Sequence, residues 1–127
     1  MLDQNDSKLE FERLKLLFEY TKFHILLYTS LITLLIGLFL FGMGENSAAQ
    51  FRFPMKWVVV CFVVAGGAGG VIGSSIPSYK SLSTFLGAYI SPFDIPCLKR
   101  KGQWWVNLEH SAFWVGIIVA TGVFIIT

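Results

Sequence analysis

Residues 65–75 read AGGAGGVIGSS, and five of the nine residues from Gly66 to Ser74 are glycine. In a soluble protein such a run would be a flexible loop. Here it continues the apolar stretch VVVCFVV at 58–64 and stops short of Pro77. Glycine costs a water-exposed helix about 1 kcal/mol relative to alanine. A membrane helix tolerates it because no water competes for the backbone hydrogen bonds. What glycine supplies there is close approach: helices in lipid have no hydrophobic drive to associate and rely on van der Waals packing between small residues. The spacing fits that use. Ala65, Gly69 and Gly73 form one ridge at i+4, and Gly66, Gly70 and Ser74 form the adjacent one. The stretch is therefore read as the bare face of a membrane helix.

The composition agrees. The 127 residues are 54% apolar and 14% charged, with a mean hydropathy of +0.64. Soluble domains carry about 25% charged residues. The formal charge of +2 is too small to suggest binding of duplex nucleic acid. Cys61 and Cys97 are expected at different membrane depths and hence unpaired. The first apolar run follows 22 mostly polar residues with five acids, the wrong lead-in for a cleavable leader.

The expected fold is an all-α integral membrane protein, one membrane domain over 1–127. Ser7 to Glu10 matches a capping box, and no glycine or proline occurs from there to Gly37, so one helix is expected over 7–42. Its part at 7–22 is amphipathic and is read as a cytoplasmic stalk. The part at 23–42 is the first span, near the roughly 20 residues a bilayer needs. An outer loop is expected over 43–54, a second span over 55–76, an inner interfacial or re-entrant segment over 77–103 and a third span over 104–127. The apolar run 82–90 is too short to cross. A fourth span through 78–97 is the alternative. Lys8, Arg13, Lys15 and Lys22 before the first span, and Lys80, Lys99, Arg100 and Lys101 in 77–103, outnumber Arg52 and Lys56 between them. The positive-inside rule then puts the N terminus and the 77–103 segment on the cytoplasmic side.

Small residues recur on the other spans too: Thr29, Thr33 and Gly37 on the first, Ala112, Gly116 and Ala120 on the third. Three such faces predict a tight bundle, whose contacts lie within one chain or between copies as an oligomer.

Ionisable residues at membrane depth are functional candidates. His24, Tyr28, Asn107, Glu109 and His110 form a polar belt near the cytoplasmic ends of the first and third spans, either a pore mouth or ligand pocket or an ordinary interfacial set. Asn107, His110, Ser111 and Trp114 share one helical face. No HExxH or CxxC spacing suggests a metal, no GxSxG suggests a serine nucleophile, and no cofactor or enzymatic activity is expected. Lys99, Arg100 and Lys101, with Trp104 and Trp105 beside them, are expected to meet anionic lipid heads at about 1 kcal/mol per basic residue, or else an anionic ligand.

Two classes of function follow. Three helices are too few to enclose a water path, so a conducting protein would have to be a homo-oligomer around an axis, gated from the cytoplasmic side. The alternative is a non-conducting anchor whose stalk and basic segment hold a cytoplasmic regulatory protein. In its organisation, a long charged first helix, a glycine-rich span and a short basic inner segment, the chain resembles the small multi-span membrane effectors of bacterial anti-phage, abortive-infection systems. That resemblance implies permeabilisation of the inner membrane and transfers no functional residue.

Overall fold

A computed structural model describes residues 4–41 and 45–126, with the backbone alone described for 38–41, 45–52, 124 and 126. Three long helices dominate: α1 (Gln4–Phe41), α2 (Glu45–Ser75) and, after a short interlude, α4 (Gly102–Ile126). Each is long and apolar enough to cross a membrane, over Gln4–Gly37, Phe53–Ser78 and Gly102–Val123. Among the described residues, 78–97 holds no helix longer than α3 (Leu82–Gly87, six residues), so the four-span alternative is not adopted.

Helix α2 packs against both α1 and α4, most extensively against α4. The buried side of α1 is a seven-residue repeat, Leu14, Thr21, Tyr28 and Leu35, with His24 between. The core divides along the bundle. At one end Leu14, Ala68, Ile72, Ile76, Phe85, Ile90 and Trp105 pack together. Further along, Tyr28, Leu35, Met55, Val58, Phe62, Ala65 and Phe113 do so. The start of α1, the end of α2 and the start of α4 therefore share one end.

The glycines allow the close packing. A Cβ on Gly69 would lie 3.3 Å from Ile25 Cγ1 of α1, and one on Gly116 would lie 2.9 Å from Phe62 Cε1 and 3.2 Å from Cys61 Cβ of α2. Ala65 and Gly69 are buried and Gly73 half-buried, whereas Gly70 and Ser74 face outward and Gly66 lies at the border. The two ridges thus divide: the first packs within the chain and most of the second does not. Thr29 and Thr33 also face outward, their hydroxyls bonded to the carbonyls of Ile25 and Thr29 one turn back. Ala112 and Ala120 pack on the core beside Phe62 and Phe113. Gly37 has open space where its Cβ would be.

Two expected boundaries differ. Helix α2 begins at Glu45 rather than 55 and carries Pro54 inside it; residues 42–44 lie outside the described residues. Ala48, Ala49 and Gln50 favour helix, and Pro54 removes only one backbone donor. Helix α1 begins at Gln4, which puts Ser7 inside the first turn; its hydroxyl bonds to Gln4 O, and no capping box forms. The expected free stalk is docked. Leu17 and Phe18 join the core end around Phe85, and Glu10 Oε2 accepts the Ser83 backbone N–H at 3.0 Å. That hydrogen bond holds the Glu10 carboxyl below the usual carboxylate range. Its contribution is therefore present above the unfolded-state pKa and is lost as acidification protonates the group.

The run 82–90 is also not one helix. Ser81 caps α3, accepting from the Thr84 N–H, and α3 stops at Gly87. Tyr89–Ile90 (β1) then pairs antiparallel with Arg100–Lys101 (β2). Pro92 and Pro96 each open a tight 3₁₀ turn between the strands, where their missing N–H costs nothing. The hairpin is clamped where α4 starts: Gly102 N–H donates to Ala88 O at 2.9 Å, and a Cβ on Gly102 would fall on the Phe85 carbonyl oxygen.

Gly102→Ala and Gly116→Ala are each expected to destabilise the fold by about 1–3 kcal/mol through overpacking. Gly70→Ala, facing open space, should change stability by less than about 0.5 kcal/mol in the unfavourable direction. Thermal unfolding in detergent, followed by circular dichroism, checks both. Equal melting of all three variants would refute the packing assignment.

Candidate functional site

A carboxylic acid lies inside the bundle. On α4 the buried face runs Gly102, Trp105, Glu109, Phe113 and Gly116, a spacing of three or four that puts Glu109 among large apolar residues. Only 2% of Glu109 is exposed. An isolated carboxylate there would be prohibitively expensive, so its partners decide whether the fold exists.

Three side chains reach it. His24 Nδ1 lies 2.7 Å from Glu109 Oε1, and the Tyr28 hydroxyl donates to the same oxygen. His110 Nδ1 lies 2.7 Å from Oε2. His110 Nδ1 faces the Val106 carbonyl at 3.0 Å; a carbonyl only accepts, so Nδ1 carries the hydrogen and gives it to Val106, and its approach to Glu109 Oε2 is a close contact rather than a second hydrogen bond. His24 Nδ1 lies 3.0 Å from the Tyr28 hydroxyl, so His24, Tyr28 and Glu109 Oε1 form one mutually bonded group in which the role of His24 Nδ1 follows its tautomer.

Position on the helices makes this possible. His24 and Tyr28 are one turn apart on the buried side of α1, so both side chains reach one point on α4. His110 follows Glu109 directly and comes round the edge of α4, half-exposed. Aromatic rings wall the cluster. Tyr20 lies over His24 with centroids 3.8 Å apart and stacks on His110 at 5.4 Å. Phe113 packs on His24 at 5.3 Å and on Tyr28 at 5.4 Å. These rings exclude water from one side of the carboxylate and strengthen its hydrogen bonds.

Of the five belt residues, four meet. Asn107 does not: it is exposed and accepts from Gln103 Nε2 at 2.9 Å on the outer surface of α4. The face shared by Asn107, Ser111 and Trp114 points outward, because the buried face is set by Trp105, Glu109 and Phe113. The cluster faces the interior of one chain. Tyr20 and Phe113 were not singled out from sequence, although Tyr20 lies four residues before His24 and Phe113 four after Glu109, the spacing that stacks side chains on one helix face.

The basic cluster is elsewhere. Lys99, Arg100 and Lys101 are exposed, and the Arg100 guanidinium lies 5.9 Å from the Trp104 ring. Trp104 is exposed, but Trp105 is not the lipid or ligand contact expected: it is 6% exposed and belongs to the core beside Phe85. Adjacent residues on a helix point about 100° apart, so a tryptophan pair cannot face one surface together. Cys61 and Cys97 are free thiols. Among the described residues no three His, Cys, Asp or Glu side chains are arranged to hold a metal ion. No family model matches the sequence, and neither a curated protein nor a solved structure is significantly similar to it.

His24→Leu removes one of the two side chains hydrogen-bonded to Glu109 and should cost about 1–3 kcal/mol. Glu109→Leu alone removes the group that His24 and the Tyr28 phenol share. The double variant His24→Leu/Glu109→Leu should lose less stability than the two single changes added together, by more than about 0.5 kcal/mol. Denaturant unfolding of the four proteins in detergent measures that coupling; simple additivity would mean that the pair is not formed.

Proposed function

We propose that the chain is a multi-pass protein of the bacterial inner membrane, its N terminus and the 77–101 segment on the cytoplasmic side, whose copies assemble into a pore that permeabilises that membrane. One observation carries this reading. The glycine-rich helix has a second bare face that its own chain does not use: Gly67 and Gly70 have nothing within 4 Å of where a Cβ would sit, and Ser74 beside them is exposed. Glycine in a helix is costly unless something approaches it, and in lipid the approaching partner is another helix. Much of the remaining apolar surface also faces outward: only 11% of the most apolar window of α4 is buried within the chain.

The ionisable cluster has a supporting place in this reading. His24, Tyr28, Glu109 and His110 tie α1 to α4 and fix the shape of one subunit, and conduction runs between subunits. Basic charge at Lys99–Lys101 keeps the hairpin end on the anionic inner leaflet. The organisational resemblance to abortive-infection effectors is the support for placing the pore in anti-phage defence.

Two substitutions separate assembly from folding. Gly70→Leu should reduce the detergent-purified complex to single chains and abolish dye release from vesicles while leaving the melting temperature unchanged. Gly69→Leu should lower the melting temperature, because Ile25 already occupies that space. Mass measurement by light scattering, together with release of an entrapped dye, reads both. A wild-type protein that runs as a single chain and releases no dye would remove the pore and favour the non-conducting anchor.

A further inference from the structure

The hairpin between β1 and β2 bears the most exposed large apolar side chain of the described residues: Phe93, 93% exposed. Phe93 and Asp94 both hold positive φ, 56° and 54°, a conformation that bulky residues rarely take and that persists only when the surroundings enforce it. The enforcement is visible. Asp94 N–H and Ile95 N–H donate back to Ser91 O and Pro92 O, and the Ser91 hydroxyl donates to Ile95 O at 2.8 Å. Two prolines flank the turn, and the strand pair with its Gly102 clamp fixes the base. An aromatic ring is thus held outward by a rigid frame, with Ile95 and Leu98 also exposed behind it.

The frame is strongly basic. Across 77–101, Lys80, Lys99, Arg100 and Lys101 stand against the single acid Asp94. The cations lie beside aromatic faces, Arg100 by Trp104 and Lys101 by Tyr89, each at 5.9 Å. Aromatic rings next to Lys and Arg at the end of an apolar helix are the chemistry of a membrane interface. Solvated alone, this patch would carry an uncompensated apolar tip; an anionic leaflet complements both of its parts.

We propose that the hairpin is an anionic-lipid-binding anchor, in which Phe93 enters the acyl region just below the headgroups while Lys99, Arg100 and Lys101 bind lipid phosphates of the same leaflet. This rests on the reading that the chain spans a membrane. The left-handed turn is the positioning device: it turns the ring away from the body of the protein, where Ile90 is already packed in the core. The anchor fixes the depth and tilt of α4, because β2 runs into α4 without a break.

The test uses the full chain with Cys61→Ser and Cys97→Ser, spin-labelled at one new cysteine and reconstituted in vesicles of phosphatidylcholine with or without phosphatidylglycerol. Collision with oxygen and with a water-soluble nickel chelate reports depth. Labels at Phe93→Cys, and at Ile95→Cys with Phe93 retained, should lose collision with the chelate when phosphatidylglycerol is present. Adding Lys99→Gln, Arg100→Gln and Lys101→Gln should restore it. A label at Ile118→Cys, on the exposed side of α4 and away from the glycine face, reports spanning. Shielding from the chelate at 118 with free collision at 93 and 95 in both lipids overturns the anchor alone, as does shielding at 93 that is indifferent to phosphatidylglycerol. Free collision with the chelate at 118 overturns the membrane reading itself.

Discussion

A carboxylate removed from water has to be given hydrogen bonds by its surroundings, and in this bundle that requirement governs how α1 meets α4. The backbones of these two helices do not pack closely; both lean on α2. What joins them is Glu109, whose Oε1 is hydrogen-bonded to His24 and Tyr28 of α1, with His110 of α4 against Oε2. Because His24 and Tyr28 sit one turn apart, they fix both the rotation of α1 and its height along α4. A rotation of α1 by one residue, or a slide of one turn, would strand a buried acid. Apolar packing alone gives no such registry, since leucine against leucine tolerates many offsets. The polar cluster thus specifies one arrangement among several that dispersion forces would accept.

The glycines act on the same problem from the other side. Gly69 and Gly116 let α2 come close enough to α1 and α4 that side chains such as Ile25 and Phe62 fill the space a methyl group would need. With the three helices drawn together, Glu109 comes within reach of α1. The outward glycines, Gly67 and Gly70, contribute nothing to this. One short run of sequence therefore presents two surfaces: the first ridge packs within the chain and the second stays bare.

At one end of the bundle the segment 76–101 closes the structure. Phe85 is fully buried beneath it, with Leu14 of α1 and Trp105 of α4 as neighbours. The start of α1 is held there as part of the fold, through Glu10 and Ser83, and packed contacts run from Leu14 through Phe85 to Gly102.

Much of this was legible in the residues. Three long apolar runs and the close-packing purpose of the glycines follow from composition and helical periodicity, which are local properties of the chain. So does the suspicion attached to His24, Glu109 and His110, since an ionisable group in an apolar run is conspicuous by itself. The details that failed to emerge are those in which distant residues compete. A nine-residue apolar run with a glycine near its end suits a short helix as well as a strand, and only pairing between 89–90 and 100–101 chose the hairpin. Ser7 and Glu10 suit a cap until Ser83 offers a better donor. Asn107 and Glu109 look alike as polar residues two apart, yet a helix points them about 160° apart, so one is buried against α1 and the other meets solvent or headgroups. Which glycine ridge turns inward was decided by Ile25 and Thr21, side chains of α1, because the bareness of a helix face is written in the sequence but the partner that fills it is not.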